Sequence, residues 1–162
     1  MSQYGVAVLG AGPGGYVAAM RAAQRGAKTC CIEAGLVGGT CLNVGCIPTK
    51  AMLHASEVFH QIGRAGEFGF QAKQVAVDGA AYMKRVAGVV EGLRKGVETL
   101  LKMRKVDVIR GRGTLTARDA LAVEVGGKIQ EVKAKAIIIA TGARPARPGF
   151  LPWDSGLSLI HI

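Results

Sequence analysis

The glycine-rich stretch at residues 10–15 constrains the fold more than any other part of the sequence. It follows a short apolar run at residues 6–9 that is rich in β-branched side chains, as expected of a buried strand. It precedes an alanine-rich segment, residues 14–25, that is typical of a helix and ends before Gly26. A second apolar run covers residues 29–32. This order predicts a strand–helix–strand unit with two parallel strands, because the helix carries the chain back across the sheet.

The pattern G-x-G-x-x-G is formed by Gly10, Gly12 and Gly15. The first glycine permits a tight turn, the second lets a pyrophosphate approach the backbone, and the third allows close packing of helix and strand. Glu33 ends the second strand, where a carboxylate can accept hydrogen bonds from ribose hydroxyls and disfavours a 2'-phosphate. The predicted ligand is therefore FAD or NAD. The alternative is a glycine-rich turn beside a surface acid.

Beyond this unit the pattern predicts helices and then strands. A helix is predicted over residues 46–61, with Pro48 in its first turn, and Asp78 can cap a long amphipathic helix. The strand pattern begins at residue 106, and a small antiparallel meander followed by an apolar strand at 136–140 is expected. The runs assigned to the meander are residues 106–110, 114–116, 121–125 and 129–132. The apolar stripe of the long helix is predicted to lie in the core: Met83, Val86, Val90, Leu93, Val97 and Leu101.

Two cysteines lie five positions apart in the segment GGTCLNVGCIPTK, residues 38–50. In a regular helix such residues are about 8 to 9 Å apart, whereas the Cα atoms of a disulfide are usually within about 6.8 Å. Cys41 and Cys46 can therefore form a bridge only if the helix is broken, which Asn43 and Gly45 permit. A bridge closing so few residues adds little stability, so redox cycling is the better reason for the pair.

Two other interpretations of the cysteine pair remain open. The thiols could be buried and free, or they could bind zinc together with His54 or His60. Cys30 and Cys31 lie in a predicted buried strand, where cysteine behaves as a small apolar residue. Because neighbouring residues of a strand point to opposite faces, no redox role is assigned to these two.

The charge balance excludes some partners. Lys and Arg outnumber Asp and Glu by 21 to 11, which gives a net charge of +10 and favours an anionic ligand or partner. The basic residues are scattered and aromatic residues are few, so nucleic acid is not expected as a partner. The longest apolar run, residues 6–20, contains four glycines and is shorter than the ~18 residues of a membrane-spanning helix. No basic segment precedes it, so we expect a cytoplasmic protein without a membrane partner.

The cysteine segment, the glycine turn, Glu33 and the segment ATGARP together resemble the FAD-containing pyridine nucleotide disulfide oxidoreductases. The resemblance covers residues 3 to about 153 and is strongest to the branch that oxidises dihydrolipoamide. It implies that Cys41 is the interchange thiol, Cys46 the thiol against the flavin, and Lys50 a cation near flavin N5. The positions that it places at the cofactor are Gly10, Gly12, Pro13, Gly14, Gly15, Glu33, Gly39, Thr40, Cys41, Cys46, Lys50, Gly113, Thr141 and Gly142.

The resemblance also implies a reaction and its partners. Electrons from protein-bound dihydrolipoamide enter at Cys41 and pass through Cys46 and FAD to NAD+. The expected partners are a lipoyl-bearing acyltransferase subunit of a 2-oxoacid dehydrogenase complex, or a glycine cleavage lipoyl protein, and the parent is expected to be a homodimer. The alternatives are another disulfide reductase, of the glutathione or mercuric type, and a non-catalytic flavin-binding redox module.

The predicted fold class is α/β, a Rossmann-like FAD-binding domain with a parallel sheet, crossover helices and a small antiparallel meander. This domain is assigned to residues 1–150, and residues 151–162 are interpreted as a truncated or non-native tail. Family members also have an NAD-binding domain and a dimerisation domain with a His–Glu base. None of His54, His60 and His161 matches that base, so the fragment alone is expected to be inactive.

Overall fold

The structure, a computed structural model, describes residues 2–144 and 146–150, so the predicted tail at 151–162 lies outside the described residues. Six strands form one sheet in the order β3-β2-β1-β6-β5-β4. Within the described residues, no helix combines the length and hydropathy needed to cross a membrane. The elements are β1 (Ser2–Leu9), α1 (Pro13–Gln24), β2 (Thr29–Glu33), α2 (Gly39–Asn43), α3 (Cys46–Gly63), a 3-10 helix (Ala65–Phe68), α4 (Gly79–Met103), β3 (Asp107–Arg110), β4 (Arg112–Ala117), β5 (Ala120–Val125) and β6 (Lys128–Ile139).

The first half of the sheet is parallel, as the glycine turn predicted. Strand β1 pairs in parallel with β2 and with β6, and β2 pairs in parallel with β3. Strands β6, β5 and β4 then pair antiparallel. The α/β class, the parallel sheet and the antiparallel meander are therefore confirmed. The carboxyl ends of β1, β2 and β6 meet at one edge, which is where ligands bind in open sheets of this kind.

Two details of the predicted meander are wrong. The run at 106–110 does not belong to it, because β3 pairs in parallel with β2, with Cys31 opposite Val108. Helix α4 provides the long crossover that such a parallel pairing requires. The runs at 129–132 and 136–140 are one strand, β6, because the Lys133–Lys135 stretch between them continues the extended pattern with Ala134 buried.

The sheet has a core on each face. On one face, the side chains of Cys30 and Ile32 pack with meander residues such as Leu121 and Val123. On the other face, Cys31 packs with residues from α1 and α4, including Leu101. Cys30 and Cys31 therefore lie in opposite cores and are fully buried, as the strand pattern predicted.

Helix α4 begins where the sequence predicted. The side chain of Asp78 accepts hydrogen bonds from the backbone amides of Ala80 and Ala81, at 2.9 and 3.0 Å. The predicted core stripe is only partly buried, because Met83 and Leu93 are 54% and 47% exposed. The amino-terminal part of α4 packs against α3, which has no buried residue of its own. This contact therefore buries little of the apolar stripe of α4.

Candidate active site

The glycine turn between β1 and α1 contains glycines of two kinds. Gly10 has φ +102°, a backbone conformation that favours glycine. A Cβ on Gly15 would overlap the carbonyl oxygen of Gly10, so this position is restricted by packing. Gly12 has φ −71° and ψ −176°, which any residue adopts, and a Cβ there would lie 3.7 Å from its nearest neighbour, the Cα of Gly39. The protein's own fold therefore does not require glycine at position 12.

The start of α1 is suited to an anionic group. Pro13 occupies the first turn, no side chain caps the helix at Gly12, and the first turn contains no acidic residue. The amides at the beginning of a helix lack partners within the helix and lie at the positive end of its dipole. A phosphate at this place would therefore meet backbone donors and a favourable field. No other heavy atom lies within 4 Å of the position that a Cβ on Gly14 would take, so the space beside this residue is open.

Glu33 connects the glycine turn to the segment that leads into the cysteines. One carboxylate oxygen accepts a hydrogen bond from the amide of Ala11 and the other from the amide of Gly35, both at 2.7 Å. A carboxylate has about four acceptor positions. Glu33 can therefore hold a ribose hydroxyl in addition to these two amides.

The cysteine segment lies directly against the glycine turn. The amide of Gly38 donates to the carbonyl of Ala11 at 2.8 Å. Gly39 has φ +61°, and a Cβ on it would lie only 2.7 Å from the Cα of Gly12. A larger residue at position 39 would therefore push the start of α2 away from the turn.

The helix is broken between the two cysteines, as the sequence predicted. Helix α2 ends at Asn43 and α3 begins at Cys46. Gly45, with φ −118° and ψ −107°, lies between them in a non-helical conformation. Its backbone passes the Cα of Cys41 so closely that an added Cβ would lie 3.3 Å from that atom. This break brings the end of α2 and the start of α3 together.

Cys41 and Cys46 are both free thiols in this structure, the first half-buried and the second exposed. A hydrogen bond between their side chains is the main cause that raises the pKa of Cys41, while the nearby charge of Lys50 lowers it. The exposure of Cys46 does not fit the interpretation of the pair as buried thiols. Among residues 2–144 and 146–150, no three His, Cys, Asp or Glu side chains are grouped as metal ligands.

The remaining predicted positions lie at the same edge of the sheet. Lys50 is one turn after Cys46 on the exposed side of α3, and Thr40 is exposed on α2. Thr141 follows β6, and its Cα lies 3.1 Å from the position of a Cβ on Gly10. Gly142, next to it, has φ +75°.

Gly113 lies in β4, where the meander approaches the parallel sheet. A Cβ on it would lie 2.5 Å from Cδ1 of Leu9 and 3.2 Å from Cγ2 of Ile32. The absence of a side chain at position 113 therefore lets the two layers pack closely at the carboxyl ends of β1 and β2. The structure thus gives this glycine a packing role that sequence reasoning did not identify.

Sequence reasoning also missed Ala11, whose backbone bonds both Glu33 and Gly38. These contacts use only the main chain, so the identity of the side chain gave no signal. The sequence also assigned no role to Arg94 and Tyr82, which lie on α4 and contact α2 and α3, the helices that carry the cysteines. Arg94 is 51 residues from its partner Asn43, and no local pattern indicates a contact over that separation.

The buried thiol of Cys31 should make the protein sensitive to alkali. Burial and the charge of Glu33 raise its pKa to about 12, and its sulfur donates to the carbonyl of Gly10 at 3.5 Å. The unfolded chain ionises this thiol first, above about pH 8.5, so the free energy of unfolding should fall as the pH rises. The expected contribution is about 1.4 kcal/mol per pH unit until the folded thiol also ionises.

Urea unfolding at pH 8, 9 and 10 measures this effect. Cys31→Ala should lose stability less steeply with pH than the parent. Cys46→Ala, which removes an exposed thiol, serves as the control and should follow the parent. Equal slopes for all three proteins would contradict the assignment.

Comparison with known proteins gives a consistent result. Residues 4–157 match the family described as pyridine nucleotide-disulphide oxidoreductase. A dihydrolipoyl dehydrogenase of Trypanosoma brucei brucei is 45% identical over 96% of this chain and 33% of that protein. One from Geobacillus stearothermophilus is 46% identical over 85% of this chain and 29% of that protein. The chain thus spans about a third of the length of these curated relatives.

A solved structure supports the same family. It is the Cu(II) complex of the HOCl-induced flavoprotein disulfide reductase RclA from Escherichia coli. The two structures have a TM-score of 0.76 and 28% sequence identity, with 92% of this chain and 31% of that chain covered. Three observations indicate the same family: the fold, the paired cysteines beside the glycine turn, and the match over residues 4–157. The chain therefore belongs to the pyridine nucleotide-disulphide oxidoreductase family.

Proposed function

We propose that this chain is the FAD-binding, dithiol-bearing part of a dihydrolipoamide dehydrogenase. The observation that carries the proposal is the helix break that places Cys41 and Cys46 on adjoining helices immediately beside the glycine turn. The similarity to dihydrolipoyl dehydrogenases supports the choice of substrate. The substrate of the whole protein would then be a dihydrolipoamide group carried by another protein.

The residues at this edge fit FAD. The amides at the start of α1 and Gly12 would hold the pyrophosphate, and Glu33 would hold the adenosine ribose. Bound FAD would supply the step that links two-electron sulfur chemistry to hydride transfer to NAD+. The further positions proposed to contact it are Gly10, Pro13, Gly14, Gly15, Gly39, Thr40, Cys41, Cys46, Lys50, Gly113, Thr141 and Gly142.

The chain's own contribution is thiol–disulfide exchange. In the oxidised pair, a substrate thiolate attacks Sγ of Cys41, the bond to Cys46 breaks, and the sulfur of Cys46 leaves as a thiolate. The second substrate thiol then displaces Cys41, so that the substrate becomes a disulfide and the pair becomes a dithiol. The structure presents the pair in this dithiol form. Lys50 favours the thiolate of Cys41, since its charge lowers that pKa.

We also propose the partners and the location. A lipoyl-bearing acyltransferase subunit of a 2-oxoacid dehydrogenase complex, or a glycine cleavage lipoyl protein, would present the dithiol, and the parent would act as a homodimer. A cytoplasmic location would suit a cysteine pair that cycles between dithiol and disulfide, because persistent structural disulfides are rare in the cytosol.

An anaerobic titration tests the function. At about pH 9, where the substrate thiols ionise without the base of the missing domain, the chain reconstituted with FAD should lose the visible absorption of oxidised flavin when dihydrolipoamide is added. A long-wavelength band should appear at partial reduction. Glutathione at the same thiol concentration should give a much smaller change. Reduction by glutathione but not by dihydrolipoamide would favour another flavoprotein disulfide reductase, the class of the RclA structure. Reduction by neither thiol would contradict both assignments.

A further inference from the structure

The two cysteines belong to different helices. Cys41 is on α2, Cys46 begins α3, and Val44 and Gly45 between them are not helical. The distance between the two sulfurs therefore depends on how α2 and α3 are placed relative to each other. Disulfide formation tolerates only a narrow range of Cα separations, about 4.4 to 6.8 Å. Whatever holds the two helices in place also controls how easily the bridge forms.

Helix α4 contacts both of these helices. Its first polar contact is with the end of α2, where Nη1 of Arg94 lies 3.4 Å from Oδ1 of Asn43. The amide of Asn43 donates in turn to the carbonyls of Val37 and Gly39, both at 3.0 Å. Asn43 thus connects the two ends of α2, and Arg94 ties this unit to α4. The non-helical residues Val44 and Gly45 come immediately after Asn43 in the chain.

The second polar contact is with α3. The hydroxyl of Tyr82 donates to the carbonyl of Met52 at 2.8 Å. Met52 lies six residues after Cys46, within the same helix. The hydroxyl of Ser56 is also near Tyr82, at the longer distance of 3.5 Å. Tyr82 therefore fixes α3 to α4 as Arg94 fixes α2.

We propose that α4 sets the redox equilibrium of the Cys41–Cys46 pair, with Arg94 and Tyr82 as positioning residues. Neither residue touches the sulfurs, and each acts through the helix that carries one of them. With both contacts present, the end of α2 and the start of α3 are held beside each other at the helix break, where Gly45 passes close to the Cα of Cys41, and this placement favours closure of the bridge. The proposal rests on the redox role of the pair given above, but its test requires neither FAD nor turnover.

The test measures the equilibrium between the protein and glutathione. The reaction is protein dithiol plus glutathione disulfide giving protein disulfide plus two glutathione molecules, so two electrons and two protons pass to glutathione. After equilibration, acid quenching and alkylation, mass spectrometry gives the fraction oxidised in the full 162-residue chain. Cys30 and Cys31 are fully buried, and burial raises the pKa of each to about 12, so they should stay reduced.

The variants remove one contact at a time. Tyr82→Phe loses only the hydroxyl, and Arg94→Met keeps most of the side-chain length. Each should lower the equilibrium constant for disulfide formation by about three- to tenfold, the range expected for one hydrogen bond. Arg94→Lys, which keeps a cationic donor, should recover part of the loss. Arg85→Met and Lys84→Met, both at exposed positions on α4, are the controls and should change the constant less than twofold.

Urea unfolding of the same variants separates positioning from general stability. A variant that acts only through stability would shift the unfolding midpoint and leave the equilibrium constant unchanged. Constants for Tyr82→Phe and Arg94→Met that equal those of the controls would overturn the proposal. If the parent itself forms no Cys41–Cys46 disulfide at any glutathione ratio, the redox role of the pair fails as well. The two failures are therefore distinguishable.

Discussion

Replacing Cys46 with serine will abolish reduction of bound FAD by dihydrolipoamide. Without Cys46 no intramolecular disulfide forms at Cys41, so a substrate thiolate has no sulfur–sulfur bond to attack and its electrons cannot enter the pair. The rate should fall at least about a hundredfold, because residues that act as a unit lose nearly all activity when one is removed. Stopped-flow absorbance of the FAD-loaded chain after mixing with dihydrolipoamide measures this rate.

The companion variant Cys41→Ser separates the roles of the two sulfurs. It should also stop reduction, but it keeps the thiol assigned to the flavin side. The long-wavelength band should therefore be present without reductant in Cys41→Ser and absent in Cys46→Ser. Cys30→Ala is the control, because that thiol lies buried in the core on the meander face of the sheet, and its rate should stay within twofold of the parent. Equal spectra for the two serine variants would refute the assignment.

Gly12→Ala should weaken FAD binding without destabilising the fold. The backbone angles at Gly12 suit alanine, and the added Cβ would make only ordinary contact with Gly39. The same methyl group would occupy the space where a pyrophosphate approaches the helix start. Overlap with a ligand costs about 1 to 3 kcal/mol, so the dissociation constant should rise by about 5-fold to about 150-fold. Quenching of flavin fluorescence measures the affinity, and urea unfolding of the FAD-free chain measures the stability.

Two further glycine variants complete this experiment. Gly15→Ala should destabilise the FAD-free chain by about 2 kcal/mol, because its Cβ would overlap the carbonyl oxygen of Gly10. Gly88→Ala is the control, because no atom of the surrounding structure lies within 4 Å of the position that its Cβ would take in α4. It should lower neither the stability of the FAD-free chain nor its affinity for FAD. A Gly12→Ala chain that binds FAD as tightly as the parent would place the pyrophosphate elsewhere.

Much of the fold followed from local chemistry in the sequence. The glycine turn, the cap at Asp78 and the break at Gly45 each depend on residues within a few positions of one another. Backbone conformation and capping are decided at that range, so the pattern of residue types was sufficient. The proximity of Cys41 and Cys46 followed in the same way from the need to interrupt one helix.

The errors concern contacts between distant parts of the chain. The sequence showed that residues 106–110 form a strand, but its partner depends on the direction in which α4 returns the chain. The stripe of α4 predicted burial of Met83 and Leu93, but burial requires a facing element with its own packed core, and α3, which packs against α4, has no buried residue. Likewise, the contact of Arg94 with Asn43 depends on how whole helices pack. Such pairings are set by tertiary structure and leave no periodic signal.

The hydrogen bonds of Glu33 have a thermodynamic consequence for ligand recognition. Both carboxylate oxygens are already held by backbone amides, so the side chain has lost its rotational freedom before any nucleotide arrives. Immobilising a free glutamate would cost up to about 1.5 to 2 kcal/mol of conformational entropy. Here that cost is met when the polypeptide folds, and a ribose that docks on the carboxylate gains the full enthalpy of its hydrogen bonds.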